Sequence, residues 1–222
     1  MAWEHEQKES KTSAVMPVVA LCLPHRGSLP AEFVESVWGP LRFKPTNWCN
    51  KIPLPLRTPS LPLARNRLAQ EALDRNATHL LWVDSDGVME SPSDPNEALK
   101  MLYLQNAPIV GCIYRAKQKI GFYYAAWTKV PDGYTPITGW TGNWIKVDVT
   151  GLHFCLIKRE VFEKVPKPWF HWEEDNAPSE DFFFFEKAKQ AGYEVRIFTA
   201  VKLSHIGTLK VKTDGSITTL DV

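Results

Sequence analysis

Asp84 and Asp86, with Ser85 between them, close the apolar run His79-Leu80-Leu81-Trp82-Val83. The run is too short for a helix and follows a helical pattern, so it reads as a buried strand. In an open α/β sheet, ligands bind at the carboxyl ends of the strands, where this pair would lie. Hard oxygen ligands there suit Mg2+ or Mn2+, which are commonly held by one or two carboxylates plus substrate phosphates. The plainer alternative is a turn whose Asp side chains bond nearby backbone. Other residues with chemistry to offer stand at element ends. Pro24-His25-Arg26-Gly27 stops an apolar stretch, and Arg26 there can meet a nucleotide base or phosphate. A solvated loop arginine is its alternative. Arg65 and Arg67 fall in the first turns of a predicted helix, where a cation opposes the helix dipole. Arg65 is therefore a candidate for holding a diphosphate, while Arg67 has a surface pair with Glu71 as its plain explanation. Ser179-Glu180-Asp181 opens a late helix, and His205-Ile206-Gly207 ends a late strand.

The elements that must position these groups follow from periodicity. Residues 16–23 form a first strand, apolar and β-branched. Residues 31–38 predict a short helix, and residues 41–59 a proline-rich connection with one short strand. Residues 61–75 carry Leu61, Ala64, Leu68 and Ala72 at helical spacing, with Ser60 as N-cap. After the central strand, Asp94 and Pro95 suit the cap and first position of a second helix. Residues 109–113 form a third strand, in which Gly111 marks a close backbone approach. This alternation predicts a parallel, doubly wound sheet.

Between residues 117 and 149 helical periodicity gives way to aromatics and turns, predicting β-hairpins that carry Trp127, Trp140 and Trp144. Such rings can stack on a sugar, or simply pack across strands. A strand over 147–157 and a helix over 158–164 come next. Pro168-Trp169-Phe170 would anchor one end of a mobile acidic lid, His171 to Asp175. The late helix runs from the Ser179 cap to about Ala191 and ends at Gly192, with strands at 194–199 and 201–204 to follow.

Composition narrows the classes. The 222 residues are 44% hydrophobic and 23% charged, an ordinary globular balance. The net charge of +1 provides no global field toward nucleic acid or an anionic membrane. No apolar stretch approaches the roughly 20 residues of a membrane span. Residues 1–14 are read as a loose polar tail without a secretory h-region. The four cysteines lack C-x-x-C spacing, which predicts buried reduced thiols in a cytoplasmic protein rather than a zinc ribbon.

Taken in order, these pieces resemble family-2-like glycosyltransferases of the GT-A fold. The resemblance spans residues 16 to 210 and rests on several segments besides Asp84-Ser85-Asp86. They are Ala64-Arg65-Asn66, Gly111, the Gly151-to-Arg159 segment, Pro168-Trp169-Phe170, Ser179-Glu180-Asp181 with Gly192, and His205-Ile206-Gly207. It implies an α/β, Rossmann-like architecture: a mostly parallel central sheet flanked by helices, with β-hairpin elaboration in the second half. One domain would cover residues 15–222, with a nucleotide-sugar half at 15–116 and an acceptor half at 117–210. The implied activity is metal-dependent transfer of a sugar from a UDP- or GDP-sugar to an acceptor hydroxyl. Pro24, Arg26, Arg65, Asp84, Ser85 and Asp86 would bind the donor. Asp84, Asp86 and His205 would hold Mn2+ or Mg2+, the imidazole tilting the choice toward manganese. Asp181 would be the base of an inverting enzyme, Glu180 would orient the acceptor or the base, and Trp140 and Trp169 would contact the acceptor. The dipole at the helix start lowers Asp181 basicity, which Glu173, Glu174 and Asp175 would offset. Three rivals stand beside this reading. In a haloacid-dehalogenase-like phosphatase Asp84 would attack phosphorus and Asp86 act as acid. A non-catalytic carbohydrate-binding module and a nucleotidyltransferase are the others.

Overall fold

The computed structural model describes residues 16–116, 123–172, 179–206, 209–211, 213–214 and 216–219. Strand β1 (Val18–His25) is buried along its length and leads into α1 (Ala31–Phe33), a π-helical turn (Val34–Trp38) and α2 (Gly39–Phe43). Next come β2 (Asn50–Arg57), α3 (Leu61–Asp74), β3 (His79–Val83), β4 (Gly87–Ser91), α4 (Pro95–Leu104) and β5 (Ile109–Ile113). The second half contributes β6 (Ala126–Val130), β7 (Gly133–Pro136), β8 (Trp144–Val147), β9 (Val149–Thr150), β10 (Phe154–Lys158) and α5 (Arg159–Lys164). It closes with α6 (Glu180–Gln190), β11 (Val195–His205), β12 (Leu209–Val211) and β13 (Ile217–Thr219).

The main sheet runs β13-β12-β11-β5-β10-β3-β1-β2, with β4 and β8 also paired to β11. Strands β2, β1, β3, β5 and β11 share one direction, so the sheet is mostly parallel. Strand β10 runs against them, wedged antiparallel between β3 and β5. A mostly parallel sheet was expected; which strand would run against the rest was not, because apolar periodicity sees burial on both faces and carries no direction. Strand β2 lies at an edge, the one place Pro53 and Pro55 fit. The amides of Asn50 and Thr58 point toward the first strand and its flank, so odd-numbered positions point outward, where the missing proline N–H groups cost nothing.

Alternation along the strands divides the core between the two faces. Ala20, Cys22 and Trp82 pack with α3, α5 and α6 residues such as Leu68, Phe162 and Phe184. Val19, Leu21 and Val83 pack with Phe33, Trp38 and Leu99 on the other face. Each fully buried side chain of this kind contributes about 1.5–3 kcal/mol. All four cysteines are buried free thiols, and burial pushes Cys22 and Cys155 up. Among the described residues no helix is long and apolar enough to cross a membrane.

Three local outcomes differ from the pattern-based expectation. The strand predicted over 147–157 is broken into β8, β9 and β10, with Gly151, Leu152 and His153 between the last two. The two strands predicted at 194–204 are one, β11, with an irregular register between Phe198 and Lys202. Strand β4, immediately after Asp86, was not predicted; it pairs antiparallel with the end of β11. Strands β6 and β7 form an antiparallel hairpin joined at Pro131-Asp132.

Candidate functional site

The turn from β3 to β4 carries Asp84, Ser85 and Asp86 out of the sheet. It is clamped on both sides by backbone: the Asp84 N–H points to the His153 carbonyl at 3.4 Å, and the Ile206 N–H donates to the Asp86 carbonyl at 2.6 Å. The register places His205 directly opposite Gly87, so β11 delivers its imidazole beside Asp86. A cavity of about 330 Å3 opens there, lined by Pro24, His25, Arg26, Thr58, Asp84, Ser85, Asp86 and His205 among others. It continues past Arg26 into an open depression bounded by Arg57, Thr58 and Pro59. Segments far apart in sequence thus meet at one strand exit.

Behind this wall lies a buried charge cluster. Arg65, 1% exposed, donates from Nη2 to Asp84 Oδ1 and from Nε to Glu180 Oε1, both at 3.1 Å; its Nη2 is 3.6 Å from Asp181 Oδ1. Its guanidinium also lies over the Trp82 ring. Burial disfavours the Arg65 charge, but three facing carboxylates outweigh it and raise its pKa further. Burial also works to raise Asp84, yet Arg65, His153 and His205 hold it well below the usual carboxylate range. Asp181 goes the other way: burial, then Glu180 and Asp84, push it well above that range against the pull of Arg65.

This geometry corrects three assignments. Arg65 does not line the cavity; it is buried, with Nε and Nη2 turned to the carboxylates of α6 and of the turn. Glu180 is buried and held by Arg65, so it braces the interior instead of meeting an acceptor. Trp169 is 2% exposed, and its indole N–H points to the Phe162 and Val165 carbonyls, leaving no face for a sugar. Its segment is tied to α3 by Asn66, whose side-chain oxygen accepts from the Trp169 and Phe170 N–H groups and whose amide donates to the Phe170 carbonyl. Asp181 lies beside Gly151 with its side chain 16% exposed, outside the cavity lining. Trp140 is half-buried, edge-on to Tyr124. Trp127 and Trp144 pack on Phe182 and Phe198. The acidic group Glu173, Glu174 and Asp175, and Gly207, fall outside the described residues.

Pattern reading missed His153. It is fully buried, and both ring nitrogens lack a hydrogen-bond partner. Its Nδ1 lies 3.5 Å from Asp86 Oδ1 and 3.8 Å from Asp84 Oδ2, and its ring centroid is 4.4 Å from that of His205. Asp86, His153 and His205 each offer a ligand atom within 4.8 Å of the others. A fully buried imidazole beside two carboxylates and a second imidazole is a donor set suited to a divalent cation. The only advance signal was a histidine two residues after a glycine in an otherwise apolar run.

No family model matches the chain, and no curated protein matches it in sequence. Among solved structures, A197 from STIV is similar with a TM-score of 0.61 and 19% identity, covering 93% of this chain and 95% of that one. That likeness is one of fold. The apo form of UDP-glucose pyrophosphorylase aligns more loosely, with a TM-score of 0.45 and 8% identity over 85% of this chain and 76% of that one.

Proposed function

We propose that the chain is a metal-dependent glycosyltransferase of the GT-A type, moving a sugar from a nucleoside-diphosphate sugar to an acceptor hydroxyl. The observation that carries this reading is the meeting of Asp86 and His205 in the lining of a cavity that Pro24 and Arg26 also line. A cation held by Asp86 and His205 would supply charge neutralisation for a departing diphosphate. Asp84, fixed in its ionised form by Arg65, keeps that corner negative and orients the turn. Arg26 presents a planar fork of donors suited to phosphate or to the edge of a base. The hydroxyl that attacks the anomeric carbon must lose a proton. In an inverting reaction Asp181 would accept it only where it is ionised, above its raised pKa.

The phosphatase alternative needs Asp84 as a nucleophile. One of its oxygens is committed to a buried guanidinium, which weakens it for attack on phosphorus. The two activities separate by product: nucleoside diphosphate from a sugar nucleotide, or free phosphate from a phosphomonoester.

The test is a thermal-shift screen of UDP- and GDP-sugars with and without Mn2+. Ligand at a hundredfold excess over its Kd stabilises the native state by about 2.7 kcal/mol. The expected result is a metal-dependent shift for one nucleotide class, lost in Asp86→Ala together with turnover. No shift with any sugar nucleotide contradicts the proposal.

A further inference from the structure

From His153 we infer that the cation site is a three-ligand, two-imidazole centre that binds a divalent transition metal before any nucleotide arrives and discriminates against Mg2+. The inference rests on the cavity being a cation site, as proposed above, and adds a ligand, a metal class and an order of loading.

The ring of His153 is built into its place. An ideal Cβ on Gly87 would lie 2.2 Å from His153 Nε2, so the first residue of β4 must lack a side chain for the ring to sit there. Tyr114 packs on both imidazoles, with centroids 4.9 Å from His153 and 5.1 Å from His205. The Tyr114 hydroxyl in turn occupies the space a Cβ on Gly151 would fill, 1.8 Å away. Two glycines and a buried tyrosine therefore hold the pair of rings face to edge.

Backbone and carboxylate neighbours orient the ligand atoms. His205 Nδ1 lies 2.7 Å from the Arg115 carbonyl; as the donor of that bond it presents Nε2 as the acceptor nitrogen. His153 turns Nδ1 toward Asp86 and Asp84. A site with only one or two protein carboxylates relies on substrate phosphates to complete binding and suits Mg2+. Two imidazoles and a carboxylate form a softer, more complete set, which favours first-row transition metals in the Irving–Williams order. The competing explanation is a protonated His153 that merely pairs with the two aspartates.

Chelator-treated full-length protein, with no nucleotide present, is titrated with Co2+ by visible absorption and with Mn2+ by electron paramagnetic resonance. The expected result is one equivalent bound, undisplaced by a hundredfold excess of Mg2+, with affinity falling tenfold or more in His153→Gln. In the Co2+ form of the unaltered protein, proton NMR should show two hyperfine-shifted exchangeable imidazole N–H resonances. That readout does not depend on the variant folding. Equal affinity in a folded His153→Gln protein, a single shifted imidazole resonance, or displacement by Mg2+ overturns the inference but leaves the cation site standing. Metal binding seen only once UDP or GDP is added does the same. No metal binding with or without nucleotide overturns both.

Discussion

Arg65 holds together the carboxylates on which the site depends. Its partners come from the β3–β4 turn and from the first turn of α6, so one side chain joins the two halves of the chain. Replacing it with methionine would leave buried carboxylates without a counter-charge, at a cost of about 3–5 kcal/mol. Urea denaturation should show that loss, and Arg65→Lys should recover only part of it, because a point charge cannot serve three acceptors in a plane. A loss under 1 kcal/mol would mean the cluster is solvated. Asp181 carries a pH signature. Its folded form keeps a proton that the unfolded chain has already released, so the unfolded state binds fewer protons above the ordinary carboxylate range. Stability therefore falls as pH rises through that window. Urea midpoints measured from pH 5 to 8 should decline in the unaltered protein and decline less in Asp181→Asn. Equal slopes would contradict the assigned environment. Gly87→Ala should displace His153 and cost about 1–3 kcal/mol by overpacking, with Mn2+ affinity falling alongside.

Elements show how far the sequence could be read and where physics hid the rest. Helix α3 and the caps of α4 were legible because spacing and end residues agree; Asp94 accepts from the Asn96 N–H as its type predicts. The Asp84-Ser85-Asp86 exit and His205 were legible because polar groups end apolar strands. His153 was not, since a lone histidine in an apolar run reads as core. Arg65 was recognised as out of place at a helix start, but its partners lie on distant segments that no local pattern reveals. Trp169 looked like a ring for a sugar, and only tertiary packing shows both indole faces covered. The direction of β10 is likewise a tertiary choice. Two predictions belong at this level. Asn66→Ala should detach the Trp169–Phe170 segment from α3 and destabilise the fold by about 1–3 kcal/mol. His79 starts β3 with its pKa lowered from 6.5 to about 4 by burial and then Lys158. The unfolded chain gains that proton first, so stability drops as pH falls from 6.5 toward 4. His79→Gln should flatten that limb of an acid titration, and an unchanged limb would show the imidazole to be solvated.

At the scale of the molecule, the sheet brings the ends of β1, β3 and β11 to one cavity. The fold is shared with A197 from STIV despite 19% identity, so architecture by itself says little about chemistry. The proposed sugar-nucleotide transfer rests on the local set of Arg26, Asp84, Asp86 and His205 around about 330 Å3 of space. The most direct measurement is a crystal structure with Mn2+ and a nucleoside-diphosphate sugar. Metal density is expected against Asp86 and His205, with the diphosphate in the cavity beside Arg26. Density for the nucleotide elsewhere, or none at that strand exit, would contradict it.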